Sequence, residues 1–207
     1  MKLVLISDTH SMHDKVKLPD GDVLVHAGDL TGMGTVAECQ QALNWLDKQP
    51  HKHVVFVAGN HDFAFERKKE QLDFWRLTYL ENSSITIDGK VFYGSPVQPW
   101  FMDWAFNVQR GPAIKKYWDM IPTGVDVLIT HGPPAQILDQ SAPHKNTDHL
   151  GCDDLLSRVL QVKPEVHVFG HIHGGRGHKN FEGTNFYNAT VVDESYRVVH
   201  EPFVVEI

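Results

Sequence analysis

Five short apolar runs, each followed closely by histidine, aspartate or asparagine, constrain the fold of this chain more than any other feature. The runs cover residues 3–6, 23–25, 54–57, 127–129 and 166–169. Each run is almost continuous in apolar residues, which is typical of strands that are covered on both faces. The pattern therefore predicts short, fully buried strands at the centre of the protein.

Helical and turn patterns lie between and after these strands. We expect helices over residues 35–48, capped by Thr35, over residues 66–77, and over residues 153–162, where Pro164 stops the helix. Asp88-Gly89 predicts a hairpin turn, because both positions of such a turn need positive φ. Residues 185–207 resemble short antiparallel strands. Alternating strands and helices with a strand-rich end predict an α/β protein with more than one sheet.

Polar side chains gather at the carboxyl ends of the five strands, where open α/β sheets bind their ligands. The clusters are Asp8 with His10, Asp29, Asn60 with His61 and Asp62, His131, and His171 with His173. In Asp8/His10 and in His171/His173, an extended segment would point both side chains the same way. Two ligands of each pair could then reach one ion.

Seven of these side chains can donate to a metal, which is more than one catalytic ion uses while keeping an open position. The seven are Asp8, His10, Asp29, Asn60, His131, His171 and His173. We therefore expect two divalent ions that share one carboxylate, with manganese as the first choice and iron, zinc, magnesium or cobalt as alternatives. A single such histidine is usually structural, but five clusters in order leave that interpretation little room.

The composition limits the partners of the chain. Its 207 residues suit a single domain, 1–207, and its two cysteines favour a reducing, cytoplasmic location. No apolar run approaches the roughly 18 residues that span a bilayer, so no membrane partner is expected. The net charge of −7 disfavours nucleic acid as a partner, since proteins that grip its backbone present a basic face.

The ordered motifs resemble those of the calcineurin-like metallophosphoesterase superfamily. Further segments resemble its metallophosphoesterase-domain (MPPED-like) class III phosphodiesterase group, and the resemblance extends over nearly all of the chain. These segments are HAGDLT, GNHDFAF, YGSPVQPWFMDWAFNVQRG, THGPPAQILD and HVFGHIHGG. The resemblance implies a four-layer α/β/β/α sandwich, with two mixed sheets flanked by helices and the metals at the strand ends.

The same resemblance assigns roles to the site residues. One metal would be held by Asp8, His10, Asp29 and His173, and the other by Asn60, His131 and His171, with Asp29 as the bridge. His61 would contact the phosphate or protonate the leaving group, and Asp62 would orient His61. In one departure, Gly174 stands where the group often has an acidic residue after the second histidine of GHxH. This departure affects substrate contacts rather than metal ligands.

The sequence thus predicts a binuclear phosphodiesterase that hydrolyses small phosphodiesters, with cyclic nucleotides as one option, by in-line attack of a metal-bridging hydroxide. Asn60, His61, Asn107 and Arg110 are candidate substrate contacts, although Asn107 and Arg110 could equally anchor a loop. The alternatives are a phosphomonoesterase of the same fold and a metal- or nucleotide-binding scaffold with weak activity. A protein phosphatase is disfavoured, because no arginine follows Gly28-Asp29 and Asp62 replaces the glutamate of those enzymes.

The remaining histidines and two tryptophans receive structural roles. His26 is expected to be a packed residue, and His13, His51, His53 and His200 are expected at the surface. His144, His149 and His178 are placed in loops near the strand ends. Trp100 and Trp104 are expected to pack loops rather than to form a platform on which bases stack.

Overall fold

Two large mixed sheets form the centre of the protein in the computed structural model, which describes residues 1–141 and 148–207. The strands are β1 (Lys2–Ile6), β2 (Val23–Ala27), β3 (His53–Val57), β4 (Thr78–Tyr79), β5 (Ser83–Ile87), β6 (Lys90–Ser95), β7 (Gln98–Pro99), β8 (Asn107–Val108), β9 (Val127–Thr130), β10 (Val166–Phe169), β11 (Gly177–Phe181), β12 (Thr184–Asn188) and β13 (Phe203–Glu206). The α-helices are α1 (Val36–Asp47), α2 (Phe63–Arg67), α3 (Pro112–Trp118) and α4 (Asp153–Val162). Short 3-10 helices cover His13–Lys15, Lys69–Gln71 and His173–Gly175.

The strands divide into two sheets whose centres are parallel. The first sheet has the order β13-β1-β2-β3-β4, and the second has the order β11-β12-β10-β9-β6-β5. Strands β1, β2 and β3 run parallel to one another, and so do β6, β9, β10 and β12. Antiparallel strands β13, β11 and β5 lie at the edges. The five predicted strands are therefore confirmed, and their carboxyl ends meet at one edge of each sheet.

Three apolar clusters hold the layers together and confirm the four-layer α/β/β/α arrangement. The inner faces of the two sheets pack against each other through residues such as Leu5, Val25 and Val168. The outer face of the first sheet is covered by α1 and α2, and the outer face of the second is covered by α3 and α4. Both faces of each central strand are thus buried, which explains why these strands have almost no polar positions.

The sequence predicted elements correctly where a contact between neighbouring residues defines the start of a helix or a turn. Thr35 and Glu38 form a reciprocal capping box at the start of α1. Helix α4 covers the predicted 153–162. Asp88 and Gly89 both have positive φ, at 47° and 84°, in the turn between β5 and β6. The C-terminal strands were expected to be antiparallel, and this is only partly correct. Strand β13 is antiparallel to β1, and β12 is antiparallel to β11 but parallel to β10.

The helix predicted over residues 66–77 is wrong. Helix α2 begins earlier, at Phe63, and Lys68, with φ of −146°, ends it. Residues 66–71 are all exposed, so this stretch has no apolar face that could hold a longer helix against the sheet. Leu72 and Leu77 instead enter the core from irregular chain.

Helix α3 was not predicted, although its start carries a recognisable signal. Gly111 precedes the helix, and Pro112 occupies its first turn, where proline loses no hydrogen bond. Ile114 and Trp118 are four residues apart and both are buried. Within the described ranges no helix combines the length and apolar character needed to cross a membrane.

Candidate metal centre

The ends of five central strands bring the predicted metal donors to one place, where the two sheets adjoin. Asp8, Asp29 and Asn60 follow β1, β2 and β3 of the first sheet, while His131 and His171 follow β9 and β10 of the second. Hydrogen bonds from backbone to side chain join the two sheets here, because the amide of His171 donates to both carboxylate oxygens of Asp8, at 3.0 and 3.1 Å.

One group of donors surrounds the carboxylate of Asp8. The Nε2 atoms of His10 and His173 lie 4.0 and 3.6 Å from Oδ1 of Asp8. These two Nε2 atoms are 3.3 Å apart. The Nε2 atom of His10 is also 3.7 Å from Oδ2 of Asp29. The donor atoms of Asp8, His10 and His173 lie within 4.8 Å of one another, so one cation could contact all three, and Asp29 approaches this group through His10.

A second group lies on the other side of Asp29. Oδ1 of Asp29 is 3.4 Å from Nε2 of His131. Oδ1 of Asn60 is 2.8 Å from Nε2 of His131 and 2.8 Å from Nδ1 of His171. The two carboxylate oxygens of Asp29 therefore face different groups, which is the geometry that a bridging ligand needs.

The donor set fits divalent cations on grounds of charge as well as distance. Asp8 is 0% exposed and Asp29 is 2% exposed. Within residues 1–141 and 148–207, their only ion-pair partners are the histidines of the two groups, with no lysine or arginine. Buried carboxylates without a fixed positive partner are costly, and bound cations would compensate both of them.

Backbone carbonyls orient three of the imidazoles. Nδ1 of His10 lies 3.2 Å from the carbonyl oxygen of Thr31. Nδ1 of His131 lies 3.0 Å from that of Ala27, and Nδ1 of His173 lies 3.2 Å from that of Asp193. Because a carbonyl only accepts, each Nδ1 carries a proton, which leaves Nε2 as the nitrogen that would bind a metal in the neutral imidazole.

Left-handed backbone turns aim the donors, rather than the extended segments expected from the i, i+2 spacing. Asp8, His10, Asp29 and His171 all have positive φ, at 57°, 42°, 55° and 68°. Such conformations cost free energy in residues other than glycine, and they occur mostly at functional sites. The expectation that these pairs share an extended segment was therefore wrong. Asp8 and His10 do reach the same donor group, whereas His171 and His173 reach different groups.

Two glycines leave the space that the carboxylates occupy. A Cβ atom at Gly170 would overlap Oδ2 of Asp8 and Oγ of Ser7. A Cβ atom at Gly59 would overlap Oδ1 of Asp29 and lie 2.7 Å from Cε1 of His131. These positions require glycine because the ligands fill the volume of any side chain.

Burial and neighbouring charges shift the pKa values of the site residues in different directions. Burial opposes the ionisation of Asp8, but the hydrogen bond and charge of His173 outweigh it and lower the pKa of Asp8 to about 2. Burial also opposes a charge on His131, yet the Asp29 carboxylate raises the pKa of His131 to about 9. Burial and the charge of His131 lower the pKa of His171 to about 3. Asp8 and His171 thus favour the deprotonated forms that bind metals.

His61 lies at the surface of this site, where the two groups meet. Its amide donates to Oδ1 of Asp29 at 2.8 Å, and its Nδ1 donates to the carbonyl of Gly32 at 2.7 Å. The His61 ring is half-buried and lies 4.6 Å from the ring of His10. Its Nε2 is thus the nitrogen available to a substrate.

Asp62 has a different position from the one expected. Its carboxylate accepts hydrogen bonds from the amides of Leu30, Thr31 and Gly59, and from the hydroxyl of Thr31. It makes no hydrogen bond to the His61 ring, so the expectation that Asp62 orients His61 directly was wrong. Asp62 instead joins the loop after β2 to the loop after β3, and the first of these loops supplies the Gly32 carbonyl that holds His61.

Asn107 and Arg110 anchor loops, which corrects their proposed substrate contacts. The side-chain amide of Asn107 donates to the carbonyls of Phe101 and Met102. The guanidinium of Arg110 donates to the carbonyls of Gly151 and Leu150, at 2.7 and 2.9 Å. Neither side chain lines the cavity beside the donors. The alternative considered for both residues, loop anchoring, is the one that the structure supports.

The other histidines mostly have structural partners. His26 is buried and contacts Thr9 and the amide of Gly28, as expected. His13 and His51 are buried, so their expected surface positions are wrong. His149 pairs with Asp139 at 2.7 Å, and His178 stacks on Tyr187. His144 lies outside the described residues.

A cavity of about 260 Å³ opens beside the donors. Its lining includes His61 and three aromatic side chains that the sequence interpretation did not assign to the site: Phe101, Trp104 and Tyr196. Trp104 does pack against Phe63, but its ring also lies 4.3 Å from His61. The sequence offered little that could have assigned these three residues to the site. Phe101 and Trp104 lie within a motif segment, but Tyr196 lies more than twenty residues beyond the last motif.

The family follows from a sequence comparison. A model of the Calcineurin-like phosphoesterase family matches residues 1–175, which include all seven candidate metal donors. The chain belongs to this family. The family binds divalent metals and hydrolyses phosphoric esters, so the metal donors and the substrate class agree with it.

Individual relatives are consistent with the family. Metallophosphoesterase domain-containing protein 1 of Homo sapiens is 38% identical, and the alignment covers 100% of this chain and 71% of that protein. A UPF0046 protein of Caenorhabditis elegans is 34% identical, with 100% and 75% covered. The crystal structure of phosphopantetheinyl hydrolase from Mycobacterium tuberculosis has a similar fold, with a TM-score of 0.63 at 14% identity, over 94% of this chain and 90% of that one.

Proposed function

We propose that this metal-dependent phosphoesterase is a phosphodiesterase that acts on small diesters through a binuclear centre. The observation that supports it most is the position of Asp29, whose two buried carboxylate oxygens face two separate groups of donors. In this proposal Asp8, His10, Asp29 and His173 hold one divalent ion, and Asn60, His131 and His171 complete the other.

The charge of the cavity favours a diester over a monoester. The described residues that line the cavity include no lysine or arginine, and they do include Glu194. A phosphodiester carries one negative charge, whereas a monoester near neutral pH carries close to two. Beyond the metals, the second charge of a monoester would meet no cationic side chain here.

The protein residues would position the substrate and assist its leaving group. Divalent ions bound at the two groups would polarise the phosphoryl oxygens and acidify a water molecule. Nδ1 of His61 donates to the Gly32 carbonyl and His61 lines the cavity, so its Nε2 is the nitrogen that would deliver a proton to the departing oxygen from the doubly protonated ring. Asn60 donates a neutral oxygen, so it does not reduce the positive charge available to the substrate.

Hydrolysis of two chromogenic substrates tests the proposal. The purified protein should hydrolyse bis(p-nitrophenyl) phosphate faster than p-nitrophenyl phosphate, should stop after chelation, and should recover when Mn²⁺ is added. Asp29→Ala and His171→Ala should lose nearly all turnover, while Asp20→Ala, a change at an exposed aspartate outside the site, should not. Full metal-dependent turnover in a folded Asp29→Ala variant would refute the assignment, and faster monoester hydrolysis would refute the diester preference.

His61→Ala separates a catalytic role from a metal-binding role. We expect this variant to keep both ions in elemental analysis while its turnover falls by roughly 100-fold, the lower end for a general acid. Loss of an ion from His61→Ala would make His61 a ligand instead. A screen of 2′,3′- and 3′,5′-cyclic nucleotides with Mn²⁺, Mg²⁺ and Zn²⁺ would then test the substrate and the metal. The cytoplasmic location and the single domain stay predictions.

A further inference from the structure

The mouth of the cavity is more aromatic than phosphate chemistry requires. Phe101 is 56% exposed and Tyr196 is 47% exposed, and both line the cavity together with Trp104. Phosphate and metals interact with charges and hydrogen-bond donors, so they give no reason for exposed rings at this position. Exposed apolar side chains that converge beside a site usually mark the binding surface of a ligand.

Tyr196 is held in place by a turn built around Asp193. Oδ1 of Asp193 accepts from the amides of Ser195 and Arg197, both at 2.9 Å. Oδ2 of Asp193 accepts from Nε and Nη2 of Arg197, at 2.8 and 2.6 Å. The amide of Tyr196 donates to the carbonyl of Asp193, at 2.9 Å. Tyr196 adopts a φ of 58° within this closed turn, which is unfavourable for a bulky residue.

The turn directs the Tyr196 ring at the candidate metal ligands. The ring lies 4.8 Å from that of His10 and 5.3 Å from that of His173, both edge-on. The turn is also bonded to the site directly, since the Asp193 carbonyl accepts from Nδ1 of His173. Tyr196 therefore has a fixed position beside the first donor group, while Trp104 lies beside His61.

We propose that Tyr196 is a specificity-determining residue that selects phosphodiesters carrying a planar aromatic group on the ester that is retained. This proposal rests on the proposed function, because His61 marks the leaving-group side of the cavity. Trp104 contacts His61 at 4.3 Å and lies on that side, whereas the centroid of the Tyr196 ring is nearer to those of His10 and His173, at 4.8 and 5.3 Å, than to that of His61, at 6.4 Å. A flat ring on the retained ester would contact Tyr196 edge-on or offset, as aromatic pairs prefer.

Two pairs of diesters separate this role from general effects. Bis(p-nitrophenyl) phosphate and methyl p-nitrophenyl phosphate share a leaving group and differ only in the retained ester. Diphenyl phosphate and dimethyl phosphate differ in both ester groups, and calorimetry on the metal-loaded protein measures their binding without turnover, so that the Tyr196 variants report the part of the preference that Tyr196 provides. The variants are Tyr196→Phe, Tyr196→Ala and the control Trp75→Ala. Trp75 is also exposed and has a φ of 45°, but it does not line the cavity.

We expect Tyr196→Ala to raise the KM for the aromatic diester about 3- to 10-fold, with little change for the methyl diester. The preference for diphenyl over dimethyl phosphate should shrink by the same factor. Tyr196→Phe should keep both preferences, because the ring remains, and Trp75→Ala should match the wild type. Circular dichroism and metal content verify that each variant is intact.

Equal effects of Tyr196→Ala on both members of a pair, or no effect on either, would overturn the proposal. Wild-type protein that binds diphenyl and dimethyl phosphate equally well, or binds neither, would overturn it too. If the protein prefers diphenyl phosphate through Tyr196 but hydrolyses no diester, the proposed function fails while the binding role of Tyr196 stands.

Discussion

Oδ1 of Asn60 lies 2.8 Å from Nε2 of His131, so two side chains from different sheets meet at one point. His171 approaches the same oxygen at 2.8 Å. An amide oxygen with two imidazole nitrogens around it supplies three ligand atoms for a coordination shell, since all three atoms can donate electrons to a cation. The contact joins β3 to β9 and β10, and it makes the second donor group depend on the packing of both sheets.

Replacing Asn60 with leucine should remove one of two ions. Leucine keeps the volume of Asn60 but has no oxygen, so we expect metal content to fall from two ions to one per chain. Turnover should fall by more than about 100-fold, because that factor is the upper limit when a residue that only orients a ligand is lost, and Asn60 would be a ligand itself. Elemental analysis and diester hydrolysis measure the two effects. Asn44→Leu, on helix α1, is the control, and two retained ions in Asn60→Leu would contradict the assignment.

Replacing Gly170 with alanine should displace a ligand without touching any donor. The added carbon would overlap Oδ2 of Asp8, so the carboxylate must move away from His173. We expect the metal affinity of the first group to drop at least about 10-fold, as when a ligand loses its orientation. Titration with Mn²⁺ measures this affinity.

Gly177→Ala is the matched control for that experiment. Its added carbon would lie 3.2 Å from Cδ2 of Leu138, the end of a flexible side chain, and 3.7 Å from the carbonyl oxygen of Gly175. It should keep metal affinity within about twofold, because surface changes of this kind rarely cost more than a few tenths of a kcal/mol. Equal losses in Gly170→Ala and Gly177→Ala would show that the clash with Asp8 is not the cause.

Asp62→Ala should lower the free energy of unfolding and not only the rate of turnover. The buried carboxylate accepts four hydrogen bonds, and alanine would leave the amides of Leu30, Thr31 and Gly59 without this partner. We expect the free energy of unfolding to fall by at least about 3 kcal/mol, since hydrogen bonds to a charged group contribute roughly 1.5–3 kcal/mol each. Urea unfolding measures the loss. Asp14→Ala, at an exposed aspartate, serves as the control, and an unchanged midpoint for Asp62→Ala would restore a purely catalytic role.

His167 should make the protein less stable in acid. It is fully buried between β9 and β12, its Nε2 lies 2.9 Å from Oγ1 of Thr130, and burial lowers its pKa to about 3. The unfolded chain binds a proton near pH 6.5, so the stabilisation is complete above that pH and is lost as pH falls toward 3. At pH 5 the loss from this one group is about 2 kcal/mol.

The variant His167→Leu tests this by difference. It removes the titrating group, so between pH 7 and pH 5 the wild type should lose about 2 kcal/mol more free energy of unfolding than the variant. Both proteins are unfolded in urea with chelator present, so that metal release affects them equally. A constant difference between the two proteins at both pH values would mean that His167 takes up its proton over the same pH range in the folded protein as in the unfolded chain, which would contradict the prediction.

Much of the fold could be read from the sequence because local patterns report burial. Strands β1, β2, β3, β9 and β10 are apolar on both faces, and that property is visible in four or five consecutive residues. The capping box of α1 and the turn at Asp88-Gly89 likewise depend on neighbours within a few positions. The polar clusters at the strand ends could be predicted to converge because parallel strands end at one edge.

Tertiary structure alone decided how the donors are aimed and what surrounds them. The left-handed turns at Asp8 and His171 arise from contacts between sheets, which no short window of sequence contains. Arg110 was considered as a substrate contact or a loop anchor, and Asp62 as the residue that orients His61, but long-range hydrogen bonds engage them with the carbonyl of Gly151 and the amide of Leu30. Tyr196 reaches the site through a turn of the C-terminal segment. Local sequence determines which residues are buried and which form turns, while contacts between distant segments determine which of these residues meet.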